Sequence, residues 1–325
     1  MGIKSNSSVE VYYNFFASSG YDAAKPPPPP FGFQGDRGFY NGGSVAAGAG
    51  GINWIEYFNI TTTGDSTDFG DLTVARYSPG TCSDAIRGVV AGGYNSGDKD
   101  EIDYYTIATP GNATTFGEFS AGRTSLAGCS SKTRGIFFGG LNNNSGTRYN
   151  VIEYITIQTL ANPTDFGDLT VGVSHNSASG NGTRGINAGG YSSSYENTIS
   201  YITIATTGNA TDFGDLTVSR HSLGGNPHPT RATFGGGYNA SGYSNVIDYI
   251  TIATLGNATD FGDVTTSLGW IGACGNDTRA TWGSGESPNV DIIQYVTVDT
   301  TGDASDFGDL TNGVRWGSAG LSGNA

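Results

Sequence analysis

Asp212-Phe213-Gly214-Asp215-Leu216 is one of six copies of a five-residue block that recurs along this 325-residue chain. The phenylalanines of the six copies are Phe69, Phe116, Phe166, Phe213, Phe261 and Phe307. Successive phenylalanines lie 47, 50, 47, 48 and 46 residues apart, a period typical of the blades of a β-propeller. The repeat therefore predicts a ring built from one structural unit.

Residues 219–265 show the whole unit. A segment of small residues comes first, a second segment ends in the glycine pair Gly236-Gly237, and the third holds Ile247-Asp248-Tyr249-Ile250. The third segment alternates β-branched and aromatic residues, which favours a strand with apolar side chains on both faces. The Phe-Gly block is the fourth segment. With 53 glycines and 14% charged residues, the composition indicates an all-β fold.

The number of segments predicts how the ring closes. Residues 36–73 supply only the second, third and fourth strands of a blade, whereas residues 314–322 supply one unattached first strand. Joining them gives six four-stranded blades without an open sheet edge. The sequence thus predicts a propeller over residues 36–325, closed by a C-terminal strand. The predicted inner strands are 75–83, 122–130, 172–180, 219–226, 268–275 and 314–322.

The order of these parts resembles the kelch repeat. A small-residue strand is followed by a strand that ends in Gly-Gly, a strand with an acidic residue before tyrosine, and an aromatic block. The aromatic residue here is phenylalanine, where kelch repeats usually carry tryptophan. The resemblance covers residues 36–325 and implies a six-bladed kelch-like β-propeller.

Residues 1–35 precede the repeats and are predicted to form an extended arm. Pro26 to Pro30 are five consecutive prolines, which favour a stiff polyproline spacer. The segment before them reads as one strand without a nearby partner, so it either folds back along the propeller or docks onto another subunit by strand addition. The residues assigned to a partner-docking arm are Val9, Val11, Tyr12, Tyr13, Phe15, Phe16, Pro26 and Pro30.

Charge and hydropathy exclude several classes of partner. The formal net charge is −14, and only 15 lysines and arginines are present, which argues against a nucleic-acid partner. We expect no membrane insertion, because no apolar run approaches the roughly 20 residues that span a bilayer. The N-terminus also lacks the apolar stretch of a secretory signal. We expect no cofactor.

Residues able to carry out chemistry are few. His175 and His221 are placed on first strands and His228 in a loop, and no acidic partner recurs beside them, so ordinary structural histidines are favoured over a catalytic or zinc site. Cys82, Cys129 and Cys274 occupy one inward-facing repeat position and are predicted to be free buried thiols. The Asp-Phe-Gly-Asp block is interpreted as structural, with Phe between blades and Asp capping a turn; a calcium loop is the alternative.

Two further sets of residues recur or vary with the blades. One arginine per blade is predicted to bridge a carboxylate of a neighbouring blade, or alternatively to form an anion-binding ring at one mouth; the set is Arg37, Arg87, Arg134, Arg184, Arg231 and Arg279. The loops after the glycine pairs vary and are rich in Tyr, Asn, Ser and Gly, which suit adaptable recognition. Asn143, Tyr149, Tyr195 and Tyr243 are the candidate binding residues.

The near-identical repeats, such as residues 203–217, look similar to repeats in virion proteins of marine tailed phages. This resemblance implies a non-enzymatic virion structural protein, assembled in the host cytoplasm as a head decoration or a tail or neck appendage. Residues 1–35 would dock on other virion proteins, and the propeller would contact a protein or the host surface. The alternative is a carbohydrate-binding lectin or adhesin that binds a host-surface glycan. A hydrolase or oxidase is a third interpretation.

Overall fold

The structure is a computed structural model that describes residues 35–45, 50–286 and 290–324. Within these residues the chain is all-β, and six four-stranded antiparallel sheets form the blades of a β-propeller. The predicted six-bladed fold is confirmed. No helix in these ranges has the length and apolar character needed to cross a bilayer. The predicted arm, with Val9 to Phe16 and Pro26 to Pro30, lies outside the described residues.

The strands are numbered along the chain. Blade 1 contains β1 (Arg37–Asn41), β2 (Ile52–Asn59), β3 (Thr67–Arg76) and, from the far end of the sequence, β28 (Ala319–Gly323). Blade 2 contains β4 (Gly80–Ser83), β5 (Arg87–Ala91), β6 (Glu101–Thr106) and β7 (Thr114–Glu118). Blade 3 contains β8 (Ala127–Ser130), β9 (Arg134–Phe138), β12 (Val151–Thr156) and β13 (Thr164–Asp168), with the short hairpin β10 (Leu141–Asn142) and β11 (Thr147–Arg148).

The remaining blades follow the same plan. Blade 4 contains β14 (Ser177–Gly180), β15 (Arg184–Tyr191), β16 (Tyr195–Thr203) and β17 (Thr211–Asp215). Blade 5 contains β18 (Gly224–Asn226), β19 (Arg231–Gly235), β22 (Val246–Thr251) and β23 (Thr259–Asp263), with the hairpin β20 (Tyr238–Asn239) and β21 (Gly242–Tyr243). Blade 6 contains β24 (Gly272–Gly275), β25 (Arg279–Gly283), β26 (Ile292–Thr297) and β27 (Ser305–Asp309).

The C-terminal strand closes the ring, as predicted. β28 pairs antiparallel with β1 in the register Arg37 to Gly323 and Asn41 to Ala319. The innermost strands β28, β4, β8, β14, β18 and β24 then contact one another in a closed cycle. Small hydroxyl residues join them across the blade boundaries, since Ser130 Oγ donates to the Ser83 carbonyl and Ser83 Oγ to the Ser322 carbonyl, each at 2.6 Å.

The inner strands are shorter than the sequence predicts. β4 begins at Gly80 rather than at residue 75, and the other inner strands begin late in the same way. The reason lies just before each strand, where one residue such as Ser78 adopts a left-handed φ of 51°. That conformation interrupts the extended backbone. His175 and His221 consequently precede β14 and β18 instead of lying on the first strands, so their predicted placement is wrong.

Each blade carries one β-bulge at its Phe-Gly block. In blade 5, Ile247 pairs with Gly262 and Asp248 pairs with Asp260, so Phe261 is the extra residue. The bulge turns this side chain into the core, where only 3% of it is exposed. All six block phenylalanines are buried between 2% and 4% exposure. Corresponding register shifts occur in the other five blades.

The glycine of the block allows the next blade to approach. Gly70 has a φ of 151°, and a Cβ there would lie 2.5 Å from the Gly111 carbonyl oxygen of blade 2. Beside it the Asp71 backbone N–H donates to Asn112 Oδ1 at 3.0 Å. Equivalent bonds join every pair of neighbouring blades. The side-chain oxygen that accepts from the N–H of the block thus belongs to the adjacent blade. The prediction that the block aspartate caps a turn is therefore wrong.

The repeated arginines do not form the predicted carboxylate bridges. Arg87 donates to the Ile157 carbonyl of blade 3 at 2.9 Å, and its guanidinium lies 4.4 Å from the centroid of the Tyr104 ring. Arg37, Arg134, Arg184, Arg231 and Arg279 make equivalent contacts. The residue whose carbonyl accepts this bond comes directly after the end of a third strand. The guanidinium therefore provides a hydrogen-bond donor to a carbonyl that lies outside the sheet. These arginines begin the second strands and therefore lie opposite the glycine-pair end of each blade.

A different set of arginines pairs with the acidic residues of the third strands. Within the described residues the ion pairs are Arg76 with Asp103, Arg123 with Glu153, Arg220 with Asp248, and Arg315 with Glu56. Except for the Arg123 pair, both side chains of each pair are fully buried. Blades 4 and 6 carry Val173 with Ser200 and Leu268 with Gln294 at these positions. The arginine and the acid are thus replaced together.

The three cysteines are free and buried, as predicted. Their thiols lie between blades, because a Cβ built at Gly135 of blade 3 would be 2.3 Å from Cys82 Sγ. Cys129 and Cys274 face Gly185 and Gly38 in the same way, and all three cysteines also line a small cavity along the inner strands. Burial raises the pKa of Cys129 to about 12 and that of Cys274 to about 11. These thiols are therefore protonated at neutral pH.

Candidate functional site

One residue from each blade forms a ring around the mouth of the central channel, at the glycine-pair end of the blades. The mouth ring consists of Ser78, Ser125, His175, Ser222, Trp270 and Gly317, and each has a left-handed φ between 51° and 66°. Each backbone N–H donates to the carbonyl of the equivalent residue in the preceding blade, at 2.6 to 2.9 Å. Together the six bonds close a complete circle among the described residues.

The mouth ring opens into a cavity of about 120 Å³ on the propeller axis. Its wall continues from the ring into the inner strands, which contribute small residues such as Thr81, Ser177 and Ala273. Of the ring residues, His175 and Trp270 bring the largest side chains to this cavity. A second cavity of about 50 Å³ lies further along the inner strands. The larger cavity is directly continuous with the mouth.

Aromatic side chains surround the mouth and form what we call the aromatic face. Its members are half-buried and come from blades 1, 2, 4, 5 and 6: Tyr77, Tyr94, His175, Tyr191, Tyr195, His221, Tyr238, Tyr243, Trp270 and Trp316. Neighbouring ring centroids along the face are 4.8 to 6.4 Å apart. The face therefore offers a continuous, partly exposed aromatic surface beside the axial cavity.

Trp270 is the centre of the aromatic face. Its ring centroid lies 5.4 Å from that of His221, 6.0 Å from Tyr238 and 6.3 Å from His175. The contact with Trp316, at 6.4 Å, joins this group to Tyr77 and Tyr94. Because these residues are far apart in the sequence, only the closure of blades around the axis brings them together.

The two histidines of the face are electrically neutral at pH 7. Burial lowers the pKa of His175 to about 3, with further contributions from His221 and Arg148, and burial lowers the pKa of His221 to about 4. His175 Nε2 is 3.1 Å from Ser125 Oγ, and its Nδ1 is 3.1 Å from Ser174 Oγ. A Ser-His-Asp arrangement would instead place a carboxylate beside the second ring nitrogen.

His228 lies away from the aromatic face. Its Nε2 is 3.0 Å from the Asp277 carbonyl oxygen, and its Nδ1 accepts from the backbone N–H groups of Thr230 and Arg231. Burial lowers its pKa as well. These hydrogen bonds of His228 therefore stabilise the loop that contains it. Among the described residues, no cluster of three or more His, Cys, Asp or Glu side chains is placed to hold a metal ion.

The four predicted binding residues occupy different surroundings. Tyr195 stacks on His221 with centroids 5.4 Å apart and an interplanar angle of 10°, and Tyr243 packs edge-on against Tyr238 at 5.0 Å. Tyr149 instead lies under the Arg123 guanidinium, 5.8 Å away. The exposed Asn143 donates its backbone and side-chain N–H groups to the carboxylate of Asp98. Only Tyr195 and Tyr243 thus belong to the aromatic face.

Sequence reasoning missed the other members of the face. A usable signal exists in the repeats, because the mouth-ring position is Ser or Gly in four blades and becomes His175 and Trp270 in the other two. The preceding position varies similarly, with Tyr77, His221 and Trp316 among its residues. The members of the aromatic face at these two positions are thus those that differ from the small residues in the other blades.

No model of a known protein family matches the chain, and a search of curated proteins finds no similar sequence. The resemblances to kelch repeats and to phage virion proteins remain predictions.

Proposed function

We propose that this chain is a non-enzymatic virion structural protein whose propeller displays the aromatic face for contact with a protein or the host surface. The observation that carries the display role is the concentration of half-buried aromatic side chains at one mouth. Exposed aromatic patches mark interaction sites, and Tyr and Trp dominate the energetics of interfaces. The opposite end of each blade carries the repeated arginine contacts of the scaffold instead.

The surroundings of the polar groups favour binding over catalysis. His175 lies between two serine hydroxyls, and the acidic residues of four third strands are used in ion pairs with arginine. Gln294 and Ser200 replace the acid in the other two blades. A general base near the mouth would need a pKa closer to neutrality than those of His175 and His221.

The virion location is supported by the resemblance of residues 203–217 to repeats of phage virion proteins. In this proposal residues 1–35 dock on other virion proteins, and the assembled particle presents the propeller outward. Mass spectrometry of purified virus particles tests it. Recovery of the chain at a fixed ratio to the capsid protein is expected, and its absence from the particles would refute the virion role.

A carbohydrate-binding lectin or adhesin is the second candidate function. It is favoured by the combination, at one mouth, of aromatic ring faces with hydroxyl-bearing residues such as Ser222. Aromatic surfaces with a few fixed polar groups are typical of small-molecule sites. Binding of the purified chain to a glycan array, with absence from virus particles, would favour this function over the virion role.

A further inference from the structure

The mouth ring is symmetrical except at two positions. Ser78, Ser125, Ser222 and Gly317 are small, whereas His175 and Trp270 place bulky side chains in the same left-handed conformation, with φ of 54° and 52°. A bulky residue in this region is strained, and such strain is found at functional sites. Blades 4 and 6, which carry the two exceptions, also lack the buried arginine pair.

The two bulky residues enclose a sector of the aromatic face centred on blade 5. We call the group His175, Tyr195, His221, Tyr238, Tyr243 and Trp270 the blade 4–6 sector. His221 contacts His175, Tyr195, Tyr238 and Trp270 with centroid distances of 5.4 to 5.7 Å. All six side chains remain partly exposed, so ring surface is open to a ligand.

The blade 4–6 sector carries no formal charge at neutral pH. None of its members is Lys, Arg, Asp or Glu, and both histidines are neutral because burial holds their pKa values at about 3 and about 4. Arg148 lies beside the sector, since its charge helps to lower the pKa of His175 and its guanidinium is 4.8 Å from the centroid of the Tyr191 ring. Glu286 pairs through its backbone with Gly269, next to Trp270. The sector thus favours neutral ligands over phosphates, acidic sugars or nucleotides.

Resting on the proposed role of the aromatic face as the recognition surface, we infer that the blade 4–6 sector binds a neutral pyranose ring of a surface glycan. The apolar C–H face of a pyranose matches the electron-rich face of an aromatic ring. Its hydroxyl groups match the uncharged donors and acceptors at the mouth, such as Ser222 Oγ, which is 2.8 Å from His221 Nδ1. The axial cavity lies directly beneath.

The test uses the full chain and a panel of methyl pyranosides of glucose, galactose, mannose and N-acetylglucosamine, with glucuronic and sialic acids as anionic probes. Binding is measured by saturation-transfer NMR and titration calorimetry at pH 7. The variant Trp270→Ser introduces the residue found at this ring position in blades 2, 3 and 5. The matched control is Leu255→Thr, which removes an exposed apolar side chain from the opposite end of blade 5 and introduces the residue that blade 4 carries there, Thr207.

At least one neutral pyranoside is expected to bind, and Trp270→Ser should weaken that binding about tenfold or more, since ring stacking is lost. Leu255→Thr should leave it unchanged. Preference for an anionic sugar, equal loss in both variants, or no saccharide binding at all would each overturn the inference. The virion proposal is judged separately by particle mass spectrometry, so either proposal can fail while the other stands.

Discussion

Blades 2 and 6 show how one repeated unit can be stabilised in two ways. In blade 2 Asp103 accepts from the Thr73 backbone N–H and hydroxyl and also pairs with the buried Arg76. In blade 6 Gln294 accepts from the N–H and hydroxyl of Thr265, and Leu268 replaces the arginine. The bond to threonine is thus common to both blades, whereas the ion pair is present in blade 2 and absent from blade 6.

The same two blades differ at the mouth. Blade 2 contributes the small Ser78 to the mouth ring, and blade 6 contributes Trp270, the centre of the aromatic face. Blade 4 repeats the blade 6 pattern with Val173, Ser200 and His175. The scaffold tolerates variation at these positions because the Phe-Gly block and the arginine–carbonyl contacts recur in every blade. The scaffold contacts and the aromatic face therefore lie at different positions of the repeat.

The largest effect should come from breaking the ion pair of blade 2. Asp103→Ala leaves the Arg76 guanidinium buried without its carboxylate, which we expect to lower the free energy of unfolding by about 3–5 kcal/mol. The control Gln294→Ala in blade 6 removes only acceptors for Thr265 and should lose about 1–3 kcal/mol. Urea denaturation measures both, and equal losses would contradict the comparison.

Converting blade 2 to the blade 6 pattern should restore most of that loss. Arg76→Leu combined with Asp103→Gln removes both charges and keeps an acceptor for Thr73. We expect the unfolding free energy to lie within about 2 kcal/mol of the wild type, because paired buried charges are often replaceable by neutral groups. A double-mutant cycle with the single variants measures the coupling. A double variant no more stable than Asp103→Ala would show that the arginine pair is indispensable.

The histidines of blades 4 and 5 should make stability depend on pH. Their folded pKa values, about 3 for His175 and about 4 for His221, lie below the unfolded value near 6.5. The unfolded chain therefore binds more protons, so stability is greatest above pH 6.5 and falls as the pH is lowered towards 4. Each histidine contributes a slope of at most about 1.4 kcal/mol per pH unit.

The variant with His175→Ser and His221→Ser tests this slope, since serine occupies the corresponding positions of blades 3 and 4. Unfolding free energies measured from pH 7 to 4 should fall less steeply in the variant than in the wild type. Parallel curves for the two proteins would show that these histidines are not protonated on unfolding in this range.

The smallest stability effect is expected for Trp270→Ser. The substitution relieves a bulky residue from the left-handed conformation and removes only half-exposed ring contacts, so the net change should be about 1 kcal/mol or less. Trp282→Ala, at a fully buried position of the same blade, should instead lose about 3–5 kcal/mol. Thermal and urea denaturation measure the unfolding free energies of both variants. A large loss of unfolding free energy for Trp270→Ser would show that Trp270 stabilises the scaffold.

Much of the scaffold is predictable from the sequence, because the same structural unit occurs six times along the chain. The spacing of the Phe-Gly blocks gives the blade number, and the unmatched segments at the two ends of the repeat region give the closure of β28 onto β1. The partners of the repeated arginines could not be predicted in this way. A guanidinium can pair with a carboxylate, a carbonyl or an aromatic face, and only the position of the neighbouring blade decides among them.

The repeats are sufficient to predict an all-β ring of six blades with free buried thiols and six buried phenylalanines. Which residues share the mouth depends on how the blades are arranged around the axis. His175, His221 and Trp270 belong to three different blades, and their contacts depend on the left-handed turn before each inner strand. The period of the sequence shows which residues all blades have in common. The aromatic face is instead built from residues that differ between blades, and these come together only when the ring closes.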